Sequence, residues 1–215
     1  IVGQNDTPVA QDDSLSMPAN NPATNLTAWM LGNDSDSDPG ETATLSILSI
    51  DASTTRGSLS LTNGAVFYQP GPQFQSLPAG SNQVDTYSYI IQDIHGATAQ
   101  ANVTVTNLGV NDPPIAGPDS ISVLAGQTTN LTSLMLSNDF DPDTGETASL
   151  VISQAFTNGT SGTLALNNGI VNYTPAPIAL AVGQTANDFF TYQLRDVHGA
   201  VATGAVSIVI FSTNH

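Results

Sequence analysis

The most distinctive chemistry in the sequence lies in two short loops that carry carboxylates at alternate positions. Asn33-Asp34-Ser35-Asp36-Ser37-Asp38 has this spacing, Asn138-Asp139-Phe140-Asp141-Pro142-Asp143 repeats it, and Gly-Glu-Thr-Ala follows shortly after each loop. Calcium binds six to eight oxygen atoms, and carboxylates spaced in this way can surround one ion. The pattern therefore predicts a calcium site at each loop. The predicted ligands are Asp34, Asp36, Asp38 and Glu41 in the first copy, and Asp139, Asp141, Asp143 and Glu146 in the second.

Neither loop is an EF-hand. That motif needs Gly at position 6 and Glu at position 12, but counting from Asp34 these positions hold Pro39 and Leu45. Two other interpretations stay open. Asp and Asn form turns readily through their own side chains, and the acids could also form a solvated acidic surface.

A second pattern is Asp-x-His-Gly, which places Asp93 before His95 and Asp196 before His198. An Asp and a His two residues apart could take part in acid–base chemistry or bind a transition metal. We disfavour catalysis because no nucleophile pattern accompanies the pair, and because enzymes seldom duplicate an active site in adjacent modules. We expect a tight turn in which the Asp carboxylate is available to calcium and the His is largely a bystander.

These motifs belong to an internal repeat that extends over the whole chain. The first segment, Asn5-Asp6-Thr7-Pro8, returns as Asn111-Asp112-Pro113-Pro114, and five further segments return in the same order. The offset between copies changes only from 106 residues (5 to 111) to 103 (92 to 195). The repeat predicts two domains, residues 1–110 and 111–215, joined by a short linker that its prolines make semi-rigid.

The elements that position the acidic loops read as β-strands. Apolar and polar residues alternate at 45–50, 101–106 and 205–210, which is typical of strands with one buried face. Asn63-Gly64 and Asn168-Gly169 lie between apolar runs and indicate hairpins. Only residues 26–31 and 131–136 could form a helical turn. The sequence thus predicts an all-β protein of two tandem immunoglobulin-like β-sandwich domains.

Charge and composition exclude several classes of function. Eighteen Asp and Glu face only two basic residues, neither of them Lys, and the formal net charge is −16. Such a chain repels nucleic-acid phosphate and anionic lipid, so we expect neither nucleic-acid binding nor membrane insertion. There is no Cys for disulfides or thiolate metal sites, and the absence of Lys excludes Lys–Asn isopeptide cross-links. The chain has no signal peptide or long apolar run, so we expect it to be an internal part of a longer exported protein.

Taken in order, the motifs resemble those of a known family. The order is Asn-Asp-x-Asp-x-Asp, Tyr-x-Pro, Asp-x-aromatic-x-Tyr, Asp-x-x-Gly and Asn-Asp-x-Pro. This order resembles cadherin-like repeats, above all the bacterial cadherin-like and VCBS-type repeats of large RTX adhesins and biofilm-associated surface proteins. The resemblance implies cadherin-like sandwiches on the bacterial cell surface, with calcium held at module junctions to stiffen a stalk.

The resemblance also implies which residues share the junction ions. Carried over by position, these are Asn111 and Asp112 of the linker, Asp93, and an acid from the first loop, with Asp119 or Asp143 added by the next module. The chain departs from animal cadherins at Gly109, where they place an Asp. We therefore expect fewer ions per junction than in animal cadherins.

The expected function is that of a calcium-binding extender region in a secreted, monomeric adhesin whose partners are neighbouring repeats. The alternative is a module that binds cell-surface polysaccharide or a like repeat. Trp29, the sole Trp, could be a sugar platform, although a lone Trp in a small sandwich more often packs into the core. We do not expect an enzyme, since a glycosidase would need two carboxylates across a cleft.

Overall fold

The computed structural model describes residues 4–212, and the chain divides into two compact units between Val110 and Asn111. Each unit is a β-sandwich of a four-stranded and a three-stranded sheet. The prediction of an all-β protein with two sandwich domains is confirmed.

The first domain contains seven strands and one helical turn. In chain order they are β1 (Asp13–Pro18), β2 (Thr24–Asn25), α1 (Thr27–Met30), β3 (Ser46–Asp51), β4 (Ser58–Thr62), β5 (Ala65–Gln69), β6 (Asn82–Gln92) and β7 (Thr98–Leu108). One sheet has the order β1-β7-β6-β3 and the other β2-β5-β4. β1 pairs with β7 in parallel, and the remaining pairs are antiparallel. Short 3-10 turns lie at Thr42–Thr44 and Pro72–Phe74.

The second domain repeats this arrangement. Its elements are β8 (Asp119–Leu124), β9 (Thr129–Asn130), α2 (Thr132–Met135), β10 (Val151–Phe156), β11 (Thr163–Asn167), β12 (Ile170–Thr174), β13 (Thr185–Arg195) and β14 (Val201–Phe211). The sheets have the orders β8-β14-β13-β10 and β9-β12-β11, and β8 is parallel to β14. Short 3-10 turns lie at Leu136–Asn138 and Thr147–Ser149.

The alternation seen in the sequence fills the space between the two sheets of each domain. In β6, Tyr87, Tyr89 and Ile91 point inward and are almost completely buried, and Val103 and Val105 of the neighbouring strand β7 lie on the same inner face. The predicted hairpin β4–β5 turns at Asn63 and Gly64, whose φ angles are +50° and +75°. Two successive positive φ angles are those of a type I′ turn, which suits the twist of the paired strands.

A buried aspartate fixes the loop before β4 in each domain, and this accounts for the Asp-x-aromatic-x-Tyr motif. Asp85 accepts hydrogen bonds from the backbone N–H groups of Arg56 and Gly57, from Thr55, and from the hydroxyl of Tyr68 (2.8–2.9 Å). These donors outweigh the desolvation of the carboxylate and hold the pKa of Asp85 below its usual value. In the second domain the same arrangement surrounds Asp188, whose pKa is also lowered. Both aspartates are therefore structural and do not take part in the acidic loops.

Gly109, which stands where animal cadherins place an Asp, has a packing role. The backbone N–H of Gly109 donates to the carbonyl of Ser81 at 2.9 Å, and a Cβ on Gly109 would lie 2.1 Å from the carbonyl oxygen of Pro78. No side chain fits at that distance without moving the backbone. The loop before β6 thus excludes a carboxylate at this position.

Candidate metal centre

The second domain brings three carboxylates of the predicted loop together. Asp141, Asp143 and Glu146 each place one oxygen within 4.8 Å of the others, and their exposed fractions are only 6%, 1% and 9%. The loop is shaped by its own side chains: Asp141 Oδ1 accepts the backbone N–H of Asp143 at 2.9 Å, and the Thr147 hydroxyl accepts the N–H of Asp141 at 3.0 Å. We call this group the second acidic cluster.

Several oxygens of the second acidic cluster are buried without a hydrogen-bond donor. They are Asp141 Oδ2, Asp143 Oδ1 and Glu146 Oε2, together with Oδ1 of Asn111. A buried polar atom without a partner costs about 1–3 kcal/mol, and more when the group is charged. Four such oxygens from three carboxylates and one amide are the hard ligands that calcium prefers, with backbone carbonyls or water supplying the rest. The residues present therefore fit a calcium ion.

The start of the second domain is tied to this cluster. Asn111 Nδ2 donates to Asp196 Oδ2 at 2.9 Å, and the backbone N–H of Asp112 donates to Asp143 Oδ2 at 2.9 Å. The other oxygen of Asp196 accepts the N–H groups of His198 and Ala200 and so builds the tight turn between β13 and β14. Asp196, which we predicted as a ligand, is thus surrounded by donors and positions Asn111.

The first domain repeats the arrangement in a first acidic cluster of Asp36, Asp38 and Glu41, again within 4.8 Å of one another. Asp38 Oδ2 accepts the N–H of Asp6 at 2.8 Å, and Asp93 Oδ2 accepts the amide of Asn5 at 2.9 Å. Sequence reasoning did not propose Asn5 and Asp6 as site residues. The signal was nevertheless present, because Asn5-Asp6 is the counterpart of Asn111-Asp112 in the repeat.

Two predicted ligands of the calcium loops lie elsewhere. Asp34 and Asp139 are 4% and 5% exposed and point into the interior, where they contact the hydroxyls of Tyr89 and Tyr192 at 2.8–3.2 Å. Regular extended backbone would place Asp34, Asp36 and Asp38 on one side. The loop therefore departs from that geometry after Asp34, which faces inward while Asp36 and Asp38 meet Glu41. The structure therefore does not bring these two aspartates into the acidic clusters.

Each inward aspartate shares its tyrosine with a second buried carboxyl group at the start of the first strand. Asp13 Oδ2 lies 2.9 Å from the Tyr89 hydroxyl, and Asp119 is the corresponding residue of the second domain. Burial, opposed in part by the tyrosine hydrogen bond and assisted by the neighbouring aspartate, raises the pKa of Asp13 to about 6. Burial and the charge of Asp139 raise the pKa of Asp119 to about 6 as well.

Burial also acts on the second acidic cluster. Desolvation raises the pKa of Asp141 and of Asp143, and neighbouring carboxylates add to the effect in both. By contrast, hydrogen bonds from Asn111 and from backbone amides outweigh burial at Asp196 and lower its pKa. A carboxylate that is costly to ionise is one whose charge a bound cation would stabilise most.

His95 and His198 lie at the rim of the clusters. His198 Nε2 is 3.1 Å from Glu146 Oε1, and His95 Nε2 is 3.1 Å from Glu41 Oε1. Each ring can therefore donate to one oxygen of the Glu and orient its other oxygen, Oε2, which is buried and unpartnered. Both histidines therefore contact the clusters directly, whereas we expected each of them to be largely a bystander.

The expected sharing of ions between Asp93 and the linker residue Asn111 is wrong. Asp93 precedes β7, an eleven-residue strand of about 35 Å, whereas Asn111 follows the end of that strand by three residues, or at most about 10 Å. The two side chains consequently lie too far apart to bind one ion. Each Asp of the Asp-x-His-Gly turns is instead paired with the Asn at the start of its own domain.

Comparison with known proteins assigns both halves of the chain to one family model. The model for the bacterial cadherin-like domain matches residues 5–109 and again residues 111–212. No curated protein matches the chain in sequence. In residues 4–212, no helix has the length and apolar character needed to cross a membrane.

Solved structures with a similar fold are cadherin ectodomains. The four-domain fragment EC1-4 of Drosophila N-cadherin has a TM-score of 0.51 and 17% identity, with 95% of this chain and 49% of the fragment covered. The EC1-2 fragment of human mucin-like protocadherin has a TM-score of 0.47 and 17% identity, with 96% and 98% covered. The chain spans about half to two thirds of the length of the ectodomain structures that it matches first.

Proposed function

This chain belongs to the bacterial cadherin-like domain family, and from that membership we propose that it is a calcium-binding extender region of a bacterial cell-surface adhesin. Domains of this family are adhesive and structural modules rather than enzymes. The observation that carries the calcium proposal is the set of buried, unpartnered oxygens in the acidic clusters, above all those of Asp141, Asp143 and Glu146.

The part of the chain that the structure describes places no arginine beside either acidic cluster to balance its negative charge. The chain has only two basic side chains and both are arginines; Arg56 bonds to the backbone of β6, and no arginine takes part in either acidic cluster within residues 4–212. Three carboxylates within 4.8 Å repel one another unless positive charge is present. A calcium ion would remove this repulsion and bind the folded state only, so that it stabilises the fold by mass action.

Calcium in the second acidic cluster would also restrict the linker. Gly109 is held by its hydrogen bond to Ser81, and Asn111 is held through Asp196, which leaves Val110 as the single residue between these two anchors. An ion that binds Asn111 Oδ1 together with Asp143 would strengthen the second anchor. Calcium-dependent stiffness of the module junction follows as part of the proposal.

The wider setting is proposed on the same basis. A Cys-free, strongly acidic chain of tandem cadherin-like domains suits a secreted, monomeric stalk of VCBS or RTX type whose partners are neighbouring repeats. Its cellular role would be adhesion or biofilm formation outside the cell. Of the alternatives raised by the sequence, homophilic binding has no observation in its favour.

The test is thermal unfolding of the chain in calcium-free buffer and in 1–10 mM calcium, followed by small-angle scattering under both conditions. At a concentration of 100 times Kd, calcium adds about 2.7 kcal/mol to the folded state, so we expect the melting temperature to rise by several degrees. We expect the maximum dimension to become larger and better defined. The matched control is the variant D36N/D38N/D141N/D143N, which keeps the side-chain shapes and removes the charges.

The outcomes separate the parts of the proposal. An unchanged melting curve in millimolar calcium overturns calcium binding. A rise in melting temperature with an unchanged scattering profile leaves calcium as a stabiliser of each domain but refutes the stiffened junction. Magnesium serves as the specificity control, because its demand for octahedral geometry suits a carboxylate-rich loop less well.

A further inference from the structure

The first domain has a surface groove beside β1 that the proposed function does not use. It has a volume of about 470 Å³ and lies between β1 and the turn α1. Its lining residues are Asp12, Asp13, Ser14, Ala28, Trp29, Gly32 and Asn33. The second domain has the corresponding groove, smaller at about 330 Å³, in which Leu134 replaces Trp29 and Ser137 replaces Gly32.

Trp29 does not serve the core of the first domain. The buried residue of α1 is Met30, at 0% exposure, whereas Trp29 is 39% exposed. The second domain has the same division of roles, with Met135 at 0% and Leu134 at 48%. Since Leu is sufficient at this position of the fold, the expectation that the sole Trp packs into the core is wrong. The exposed aromatic surface of Trp29 is therefore available to a ligand in the groove.

The polar groups beside Trp29 are held in place by the protein. Asp12 Oδ1 accepts both the backbone N–H and the side-chain amide of Asn102, at 2.8 and 3.1 Å. The amide of Asn33 donates to the carbonyls of Gln11 and Asp12, at 3.4 and 3.3 Å. These contacts hold the side chains of Asp12 and Asn33, and both residues remain exposed to solvent. A pre-ordered set of acceptors binds a ligand with little loss of side-chain entropy.

An indole ring beside planar carboxylate and amide groups is the chemistry that recognises a sugar. The apolar C–H face of a pyranose stacks on an aromatic ring, and its hydroxyls donate to carboxylate and amide oxygens. The two aspartates of the groove and the net charge of −16 disfavour any anionic ligand. We propose that the groove of the first domain binds a neutral saccharide, with Trp29 as the stacking platform and Asp12 and Asn33 as hydroxyl acceptors.

The sole tryptophan makes the test direct, because its fluorescence reports on this groove alone. The chain, saturated with calcium, is titrated with dextran, laminarin, mannan and galactomannan, and alginate serves as the anionic counterpart. Stacking of a sugar on Trp29 shifts and intensifies its emission, and affinity electrophoresis in the same polysaccharides gives an independent dissociation constant. We expect at least one neutral polysaccharide to act in both assays and alginate to act in neither.

The matched variants come from the chain itself. Trp29→Leu recreates the groove of the second domain and is expected to fold with an unchanged melting temperature, but to weaken retardation by about tenfold or more. Trp29→Phe keeps a smaller aromatic face and is expected to retain part of the binding. Leu134→Trp adds the aromatic platform to the second domain and is expected to increase the retardation of the wild-type chain.

Three results would overturn the inference. They are the absence of any emission change with all four neutral polysaccharides, retardation of Trp29→Leu equal to that of the wild-type chain, and binding of alginate in preference to the neutral polymers. None of these bears on calcium binding. The proposed function and this saccharide site can therefore fail separately.

Discussion

The two domains have the same fold and the same acidic clusters, yet they bury these clusters to different extents. In the second domain Asp141, Asp143 and Glu146 are all buried, whereas Asp38 and Glu41 of the first domain are only partly so. The second acidic cluster, with Asn111, contains four buried oxygens without a donor, and the first contains two, on Asp36 and Glu41, among the described residues.

This difference separates the part of the sequence that maintains the fold from the part that sets ion affinity. The backbone hydrogen bonds of the loops recur in both copies: Asp38 N–H donates to Asp36 Oδ1 at 2.8 Å, and Asp143 N–H donates to Asp141 Oδ1 at 2.9 Å. Loop shape is therefore constant, while the desolvation of the carboxylates varies. Because charges interact more strongly where water is excluded, the second cluster should gain more from a bound cation.

The largest expected effect concerns a feature that the domains share. Replacing Asp188 by Ala removes the acceptor of Ser161 N–H, Gly162 N–H and the Tyr173 hydroxyl and leaves these buried donors unpaired. We expect the second domain to lose about 3–5 kcal/mol of unfolding free energy, and the counterpart variant of Asp85 to cost the first domain a similar amount. Differential scanning calorimetry measures both, and Trp29 emission follows the first domain alone.

An exposed aspartate of the first domain is the control for this experiment. Asp51 is an exposed strand residue whose Oδ1 accepts the backbone N–H of Ser53 at 2.8 Å, and its replacement by Ala should reduce stability by about 1 kcal/mol or less. The loss of unfolding free energy could differ by more than about 2 kcal/mol between the Asp85 and Asp188 variants, or calcium could fully restore the stability of either one. Either result would refute the view that these two aspartates stabilise their domains equally and without calcium.

Much of the fold could be predicted because its signals are local. Alternation at 101–106 and 205–210 identifies β7 and β14, and the positive φ angles of Asn63 and Gly64 belong to residues that favour them. Strand order was not predictable, since the parallel pairing of β1 with β7 joins residues about 90 positions apart, Asp13 with Val103. Local patterns contain no information on such a pairing.

The candidate site was predicted in its residue types and only partly in its grouping. Counting acids found Asp36, Asp38 and Glu41, but it could not show that Asp34 faces Tyr89. Side-chain direction depends on the loop conformation, which is fixed by long-range contacts such as the pairing of Val9 with Ser35. The roles of Asp93 and Gly109 were likewise hidden, because both depend on what lies next to them in space.

The second prediction tests the difference in burial. Asp143→Asn removes a charge that is 1% exposed, and Asp38→Asn removes its less buried counterpart. We expect Asp143→Asn to abolish the tighter class of calcium site in isothermal titration calorimetry and to remove about 1–3 kcal/mol of calcium-dependent stabilisation. Asp38→Asn should remove only the weaker class.

The reverse order would show that burial does not set affinity here. In that case the cost of dehydrating the ion and its ligands would exceed the gain in Coulomb energy, and the more open first cluster would bind calcium more tightly. The double variant should show no calorimetric signal in the concentration range of either site. A remaining signal would indicate ligands outside the two acidic clusters.

The third and smallest effect concerns Asp13 and Asp119, which the two domains bury alike. Their folded-state pKa is about 6 against an ordinary value of 3.8, so the folded protein binds more protons than the unfolded chain between pH 4 and 6. Stability in calcium-free buffer should therefore fall as the pH rises through this window, by on the order of 1–3 kcal/mol per domain, and level off above it. Asp13→Asn should reduce this slope in the first domain and Asp119→Asn in the second, and each should raise the melting temperature at pH 7. The slope that remains belongs to the other buried carboxyl groups with raised pKa, which are Asp34, Asp139, Asp141 and Asp143. Asp51→Asn, at an exposed site, should leave both slopes unchanged.

An equal slope in the wild type and in both buried-site variants would mean that the two carboxyl groups ionise without cost. The protein would then have to stabilise a pair of buried charges in each domain with one tyrosine hydroxyl and one backbone N–H, that of Gln11 or Gly117.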